Sequence, residues 1–421
     1  YEAIMKEFTN YQYEVRFLRA YFYFELIKRY RNIPFVLDVL AQNEANGVNP
    51  ESYEKIAKFI VDECSDLAQI LPVNYDNFST KEKGRVTRAA AMALKSRVTL
   101  YMASPLFSED SEDKWKQAAE AAYDIIKQKT DLGLDLVPYP QIFNDVNNQK
   151  AEVILYRPTG ESGDFEKANF PIGVEGGKTS TCPTQNLMEA YDMKDGTPFV
   201  WNNQSNPYDN RDPRMKYTIV CNEMKWPVDP VEIWEGGTNG LPLQNATTTG
   251  YYLKKYVNNT ISFEAGSTVT KKQHNWVLFR YGEILLNYAE AMINAFHDPN
   301  YKDAVYNMSA REAVNQIRGR TNISLPGFPS DITEKDFVKR LKNERRVELA
   351  FEGHRFWDVR RWKELGQTAN IYGVKITKNN EVISYEKFLL ETRAVTDNMY
   401  FYPIPNTERF KNPNLGQNPG W

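Results

Sequence analysis

The chain has 421 residues, enough for a large buried core, and this length allows two or three domains without requiring them. Its 52 basic and 55 acidic residues give a formal net charge of -3 at pH 7, a balance that argues against nucleic acid as a partner. Cys64, Cys182 and Cys221 are too few and too widely spaced for a disulfide framework or a zinc site.

The N-terminal third has apolar residues at the spacing of amphipathic helices. This spacing predicts helices over residues 8–31, 51–71, 87–103 and 113–128. The last two are rich in alanine, which permits close helix packing. Small residues that face aromatic rings across paired helices are typical of a tetratricopeptide-like hairpin, although no strict repeat period is present.

Residues 136–275 have a different composition, dense in Pro, Gly, Asn, Thr and aromatic residues. Turn-forming residues at this density predict loops and short strands. The segment is nevertheless too aromatic for a disordered linker. We therefore expect it to form a loop-rich part that packs on the helices.

Helical spacing returns after this segment, and about four helical hairpins are predicted in all. The later helices are predicted over residues 277–296 with 309–321, and 334–352 with 354–365. The helical scaffold thus comprises residues 1–135 and 276–365, and residues 366–421 are predicted to form an extended C-terminal strap stiffened by proline.

Residues 344–362, ERRVELAFEGHRFWDVRRW, concentrate charge beside large rings. On one continuous helix, Glu348 lies three residues from Arg345 and Glu352 three residues from Arg355, so these charges are expected to pair. A carboxylate among arginines has a lowered pKa, which suits a general acid poorly. The pattern therefore favours a structural ion-pair network over a catalytic site.

The loop-rich part is the better candidate for a binding site. Flat aromatic faces beside amides and arginine are what a sugar needs, because rings stack on its C–H faces and planar polar groups bind its hydroxyls. The predicted ligand-binding residues are Trp201, Tyr208, Arg211, Trp226, Trp234 and Asn239. Two alternatives remain open: each ring packs down on the helical body, and Arg211 locks a turn through local ion pairs.

No catalytic, metal or cofactor site is predicted. His274, His297 and His354 lack the spacing of metal ligands, and no phosphate-binding or nucleophile-elbow motif is present. The segment Asp192–Gly196 resembles a calcium loop but lacks the later glutamate, so a turn is the preferred interpretation.

Eight separate segments, in order and spread over the chain, resemble the SusD/RagB family of outer-membrane lipoproteins from Bacteroidota. These segments are FLRAYFYFELIKRYRNIPFV (17–36), ALKSRVTLYMASP (93–105), PTQNLMEAYDMKDG (183–196), NRDPRM (210–215), TTGYYLKKY (248–256), FRYGEILLNYAEAMINA (279–295), ERRVELAFEGHRFWDVRRW (344–362) and YPIPNTERFKNPNLGQNPGW (402–421).

The resemblance implies a single, mostly α-helical domain over residues 1–421 with tetratricopeptide-like hairpins and a loop-rich ligand-binding part. It also implies a non-catalytic protein, lipid-anchored at the outer-membrane surface, that captures oligosaccharides or, in some members, peptides for a SusC-like TonB-dependent transporter. Family members carry the lipidated cysteine in an earlier stretch. None of the three cysteines here is placed to be that residue.

Three functional hypotheses follow for the chain. The first is non-catalytic binding of an oligosaccharide through the loop-rich part. The second is binding of an extended peptide by backbone hydrogen bonds on the same scaffold. The third is a glycoside hydrolase on a helical scaffold, which requires two carboxylates at catalytic separation in a cleft.

Overall fold

Apolar residues at helical spacing become helices along most of the chain. The computed structural model describes residues 2–76, 84–109, 111–143, 151–202, 206–264 and 270–421. Its helices are α1 (Glu2–Tyr30), α2 (Gln42–Ala45), α3 (Tyr53–Ile70), α4 (Arg88–Ala103), α5 (Glu112–Lys127), α6 (Asp164–Asn169), α7 (Gln185–Met188), α8 (Met215–Thr218), α9 (Tyr281–Phe296), α10 (Ala310–Arg318), α11 (Glu334–Glu348), α12 (Arg355–Arg361) and α13 (Asn406–Lys411).

The strands form two-stranded antiparallel pairs, β1 with β2, β3 with β8, β4 with β7, β5 with β6, and β9 with β10. They are β1 (Ile33–Pro34), β2 (Pro50–Glu51), β3 (Val153–Arg157), β4 (Glu161–Ser162), β5 (Ile219–Val220), β6 (Tyr252–Leu253), β7 (Lys272–Gln273), β8 (Trp276–Arg280), β9 (Asn370–Asn379) and β10 (Val382–Thr392).

The long helices pack one after another around a shared apolar core. Helix α1 packs on α3, α3 on α4, α4 on α5, and α5 on α9, which also contacts α10 and α11. The alanines of α4, among them Ala90, Ala91 and Ala93, are fully buried, because their small side chains let the neighbouring helices approach closely. The predicted mostly α-helical, tetratricopeptide-like fold is confirmed.

Hydroxyl side chains fix where several helices begin. Ser52 Oγ accepts a hydrogen bond from Lys55 N at 3.2 Å at the start of α3, and Thr333 Oγ1 accepts one from Asp336 N at 3.2 Å at the start of α11. Such caps satisfy backbone N–H groups that the first helical turn leaves without partners. The predicted starts of these helices therefore lie within about two residues of the observed ones.

Two predicted helical segments begin or end elsewhere. Residues 277–280, predicted as the first turn of a helix, belong to strand β8 and pair with β3 before α9 begins. The helix predicted over 334–352 ends at Glu348. Phe351 and Gly353 have φ of 61° and 81°, and this left-handed backbone turns the chain before α12. The interpretation of residues 344–362 as one continuous helix is therefore wrong.

The loop-rich part has its own apolar core, which the β9–β10 hairpin completes. Val374, Ile376 and Tyr385 of the hairpin are buried with Tyr251 and Tyr252. Residues 370–392 were predicted as part of an extended strap, and this prediction is wrong for them. Their alternation of apolar and polar residues lets one face of a hairpin be buried.

A buried network of arginines and carboxylates ties the loop-rich part to α11. Arg280 Nη1 donates to Glu152 Oε1 at 2.7 Å and to Glu348 Oε1 at 2.8 Å, while Arg320 Nη2 donates to Glu348 Oε1 at 2.7 Å. Arg214 Nη1 donates to the other Glu348 oxygen at 2.9 Å. Burial raises the pKa of Glu348, but the three guanidinium groups more than offset it, and the pKa lies well below its usual value.

The expected pairing of arginine with carboxylate is confirmed, but the predicted partners are wrong. Arg345 Nε donates to Asp358 Oδ2 at 2.9 Å, and Arg355 Nη2 donates to Gln367 Oε1 at 2.8 Å. Glu348 and Glu352 bind residues from other elements. The turn after α11 breaks the helical spacing on which the predicted local pairs depended.

Candidate functional site

The four predicted binding rings each pack against different neighbours in the loop-rich part. Tyr208 lies edge-on to Tyr251 and Tyr385, with ring centroids 6.2 and 5.3 Å apart. Trp201 lies beside Phe199, with ring centroids 6.5 Å apart. These two rings are half-buried parts of the packing on that side of the molecule.

The two remaining rings each lie under a lysine. Lys378 Nζ is 4.4 Å from the Trp234 ring centroid, and Lys254 Nζ is 4.8 Å from that of Trp226. The sequence predicted these rings as members of one surface, whereas the structure distributes them over the loop-rich core. Of the predicted set, Trp226 lies in the wall of the cleft described below.

Arg211 and Asn239 are buried and serve the loop backbone. The two Nη atoms of Arg211 donate to the carbonyl oxygens of Pro207, Met188 and Tyr191 at 2.6–2.7 Å. Asn239 Nδ2 donates to a neighbouring carbonyl at 2.5 Å, and its Oδ1 accepts from a backbone N–H at 2.9 Å. The environment of Arg211 is that of a residue that holds a turn, rather than that of a residue in contact with a ligand. Its partners, however, are carbonyl groups and not the expected carboxylates.

A cleft of about 380 Å³, here called the Trp226 cleft, lies between residues 254–260, which follow β6, strand β7 and the loop that carries Trp226. Its aromatic wall consists of Phe143, Tyr217, Trp226 and Tyr256. Trp226 is 7% exposed, and its Nε1–H has no acceptor among the described residues. The cleft therefore offers ring surface within the volume usual for small-ligand sites.

Trp276 is not part of the cleft lining but packs on Tyr256, which is. Its ring stacks on that of Tyr256 with centroids 4.9 Å apart and an interplanar angle of 19°, while 39% of the residue remains exposed. Because Tyr256 covers one face of the indole, the exposed area lies on its other face and edge. This is the geometry of a ring held ready for stacking.

Polar side chains also line the Trp226 cleft and are here called its polar side: Lys254, Asn258, Asn259, Thr260, Lys272 and His274. Glu166 holds two of them in place from behind. Its Oε1 accepts from Asn258 N at 2.8 Å and lies 2.9 Å from His274 Nε2, and Glu166 itself is fully buried. The amides, hydroxyl, amines and imidazole supply both donors and acceptors for hydroxyl groups.

Consecutive lysines have opposite roles at this cleft. Burial lowers the pKa of Lys254, whose amine lies over Trp226. Lys255 points inward, where its Nζ donates to Glu352 Oε1 at 2.8 Å and to Tyr139 Oη at 3.0 Å. Alternation along an extended segment thus gives one amine to the cleft and one to the frame.

The family model described as the SusD family matches residues 142–421. The chain belongs to the SusD family. The matched region contains all four residues of the aromatic wall and all of the polar side of the Trp226 cleft. The sequence resemblance to SusD/RagB proteins is thereby confirmed.

Solved SusD-like structures share the fold over nearly the whole chain. A SusD-like protein from Bacteroides fragilis is 27% identical with a TM-score of 0.80, covering 97% of this chain and 79% of its own. A SusD-like carbohydrate-binding protein from the same species is also 27% identical, with a TM-score of 0.79 and coverage of 96% and 79%.

A curated relative, SusD-like protein P2 of Formosa agariphila, is 29% identical over 163 residues, which are 37% of this chain and 28% of the relative. The match thus spans little more than a quarter of that relative's length. In the part of this SusD-family chain that the structure describes, no helix is long and apolar enough to cross a membrane, and no group of three His, Cys, Asp or Glu residues is arranged to hold a metal ion.

Sequence reasoning missed most of the residues that form the cleft of this SusD-family protein. The segment TTGYYLKKY contains Lys254 and Tyr256, but residues 251–253, 255 and 256 are all buried, so its pattern does not indicate which side chains line the cleft. Trp276 falls at the start of the predicted helical scaffold of residues 276–365, outside the predicted loop-rich part. Its position opposite Tyr256 depends on how β8 lies beside the loop-rich part, which no local pattern records.

Proposed function

We propose that this SusD-family protein binds an oligosaccharide in the Trp226 cleft without transforming it. The stacked pair of Trp276 and Tyr256 is the observation that carries the proposal, because it joins a partly exposed indole to a ring in the wall of a cleft lined by hydrogen-bonding side chains. A sugar ring stacks its C–H face on Trp276, and its hydroxyls bond to Asn259, Thr260 and Lys272.

The lining of the cleft supports binding without catalysis. Among its described lining residues none is Asp or Glu, whereas glycoside hydrolysis requires two carboxyl groups on either side of the scissile bond. The nearby carboxylate Glu166 is buried and engaged by Asn258 N and His274. This side of the molecule therefore favours the binding hypothesis over the hydrolase hypothesis.

The partner and location follow from the family rather than from the cleft. We infer that the protein delivers its ligand to a SusC-like TonB-dependent transporter at the outer-membrane surface, where a lipid anchor retains it. The SusD-like carbohydrate-binding protein from Bacteroides fragilis, with the same fold, supports the choice of a saccharide over a peptide as ligand.

The proposal is tested by titrating the purified protein with neutral oligosaccharides of different linkage and, in parallel, with unstructured peptides. We expect at least one oligosaccharide to bind, and Trp276→Ala to weaken that binding about tenfold, equivalent to about 1.4 kcal/mol. Phe410→Ala is the matched control, because it removes a ring that is 86% exposed on α13, outside the cleft lining.

Product analysis after prolonged incubation separates binding from hydrolysis. Intact oligosaccharide is the expected result, and shortened products would refute the non-catalytic role. A peptide that binds more tightly than every oligosaccharide would contradict the saccharide assignment. Glycan binding that Trp276→Ala leaves unchanged would contradict the proposed site. Co-purification with a SusC-like transporter tests the partner separately.

A further inference from the structure

A second cleft, of about 880 Å³, lies against one face of α11, beside the start of α12 and the loop that carries Phe199. It is here called the Arg346 cleft. Phe199, Ile332 and Val338 contribute apolar side chains to its wall, and Arg346 and Arg355 also line it. None of its lining residues belongs to the Trp226 cleft.

Arg346 differs from the interior arginines around it. Arg318 Nη1 donates to Glu344 Oε2 at 2.7 Å, and Arg361 Nη2 donates to Glu290 Oε2 at 2.7 Å. Arg346 is half-buried, yet among the described residues no carboxylate forms an ion pair or hydrogen bond with it. Arg318 and Arg361 thus pair with carboxylates inside the fold, whereas Arg346 faces a cleft.

The neighbouring charge in the cleft is another arginine. Burial, and then the positive charge of Arg355, lower the pKa of Arg346 to about 10. Arg355 donates Nη2 to the neutral amide oxygen of Gln367 at 2.8 Å. The carboxylates that act on these two guanidinium groups, Glu189 on Arg346 and Asp358 and Glu364 on Arg355, are each paired with another cation. An anion between the two arginines would therefore relieve their mutual repulsion.

The carboxylates that line the Arg346 cleft are already engaged by other cations. Glu189 pairs with Lys387 at 2.8 Å, Asp192 with Arg318 at 3.3 Å, and Glu364 with Lys342. The remaining two lie at the opposite end of the cleft.

These two carboxylates are Asp331, which precedes α11, and Asp336, in its first turn, where it accepts a hydrogen bond from Thr333 Oγ1 at 2.9 Å. Asp336 and Arg346 are ten residues apart, which corresponds to about 15 Å along a helix. Neither aspartate is therefore a counter-ion for Arg346.

A guanidinium group presents its N–H donors as a planar fork, which matches groups with two or three equivalent oxygens. We propose that the Arg346 cleft binds the negatively charged group of an acidic saccharide, a uronate carboxylate or a sulfate ester, through Arg346 and Arg355. The apolar wall at Phe199 takes the C–H face of the same sugar. The two arginines are the evidence that the ligand carries a negative charge. The assignment of that charge to a saccharide rests on the proposed function.

The test compares each acidic oligosaccharide with its neutral counterpart. A uronate oligosaccharide is paired with its carboxyl-reduced form, and a sulfated oligosaccharide with its desulfated form, in calorimetric titrations at low ionic strength. We expect one acidic form to bind about tenfold more tightly than its neutral counterpart. The pair that shows this preference identifies carboxylate or sulfate as the group.

Variants of Arg346 test whether the Arg346 cleft causes the preference for the acidic form. Arg346→Gln is expected to abolish it and Arg346→Lys to reduce it, because lysine keeps the charge and loses the fork. Arg393→Gln, which removes an exposed arginine paired with Glu391, is the control that should retain it. Thermal unfolding of each variant checks that the fold persists. Since Arg346 has no partner in the described structure, its replacement should not unfold the protein.

The inference is overturned if acidic and neutral forms bind equally, or if Arg346→Gln keeps the preference. A glutamate-rich peptide that binds more tightly than either acidic saccharide would overturn the saccharide assignment. Trp276→Ala distinguishes the two proposals. It should weaken the binding of neutral glycans in the Trp226 cleft. It should leave the ratio of the affinities for acidic and neutral forms at the Arg346 cleft unchanged.

Discussion

Arg345 and Arg346 are consecutive on α11, yet their guanidinium groups lie in opposite environments. Arg345 is buried, with Nε 2.9 Å from Asp358 Oδ2 and Nη1 2.8 Å from Asn287 Oδ1. Arg346 faces a cleft with no carboxylate partner among the described residues. A rotation of about 100° per residue on a helix is enough to separate a structural arginine from one available to a ligand.

This contrast predicts that replacing Arg345 destabilises the protein much more than replacing Arg346 does. Arg345→Gln leaves Asp358 buried without its cation and should reduce the free energy of unfolding by about 3–5 kcal/mol. Arg346→Gln removes a charge that has no partner, so its effect should stay within about 0.5 kcal/mol. Urea denaturation of the two variants measures both changes. A larger loss for Arg346→Gln than for Arg345→Gln would show that the two environments are assigned the wrong way round.

Glu348 should be among the least replaceable carboxylates of the frame. Its oxygens accept hydrogen bonds from Arg214, Arg280 and Arg320, which come from three separate segments. Glu348→Gln leaves these cations undercompensated, and we expect a loss of about 3–5 kcal/mol in the free energy of unfolding. Glu334→Gln, at an exposed pair with His297, should cause no resolvable change in the same denaturation experiment.

Stability should fall between neutral and mildly acidic pH because of His354. Burial, and then the positive charges of Arg97 and Arg345, lower its pKa well below 6.5. Below about pH 6.5 the unfolded chain takes up a proton that the folded protein excludes until its lower pKa is reached. The contribution of His354 to the free energy of unfolding is therefore fully present above pH 6.5. It declines on acidification, by up to about 1.4 kcal/mol per pH unit.

Denaturation midpoints measured from pH 7.5 to 5 should therefore decrease in the wild-type protein. His354→Asn removes the titrating group and should flatten this decrease, whereas the exposed His297→Asn should not. Parallel slopes for the wild type and His354→Asn would mean that another group controls stability over this range.

The helical frame was predictable from sequence because its determinants are local. Apolar spacing, alanine content and hydroxyl caps lie within each helix, and the observed bounds follow them closely. The ion-pair network was predictable only in kind. Nothing in ERRVELAFEGHRFWDVRRW indicates that Glu348 bonds Arg214, which lies 134 residues away in sequence.

The candidate site was less predictable, since ring composition does not report which rings are exposed. Tyr208 and Trp226 belong to a loop core completed by the β9–β10 hairpin, which the sequence assigned to an extended strap. Trp276 is exposed because only one of its faces meets Tyr256. Whether a ring is buried or exposed thus depends on contacts with residues that are distant in sequence. The predicted role of the central aromatic segment in binding therefore stays a prediction, now resting on different residues.

Gly250 should determine whether the β9–β10 hairpin docks on the loop-rich part. Its φ is 83°, and a Cβ at this position would lie 2.4 Å from Val374 O and 2.5 Å from Val374 Cγ1. Val374 N also donates to Thr249 O at 3.0 Å. Gly250→Ala therefore combines a left-handed backbone with a clash against β9, and we expect the hairpin to separate locally.

Hydrogen exchange of residues 370–379 measures this separation, which should appear as faster exchange in Gly250→Ala than in the wild type. Gly236→Ala is the matched control, because Gly236 has φ of 86° in the same loop-rich part but no atom within 4 Å of the added Cβ. It should cost only the backbone strain of about 1 kcal/mol and leave exchange in β9 unchanged. If both variants accelerate exchange equally, backbone strain rather than close packing on Val374 governs docking of the hairpin.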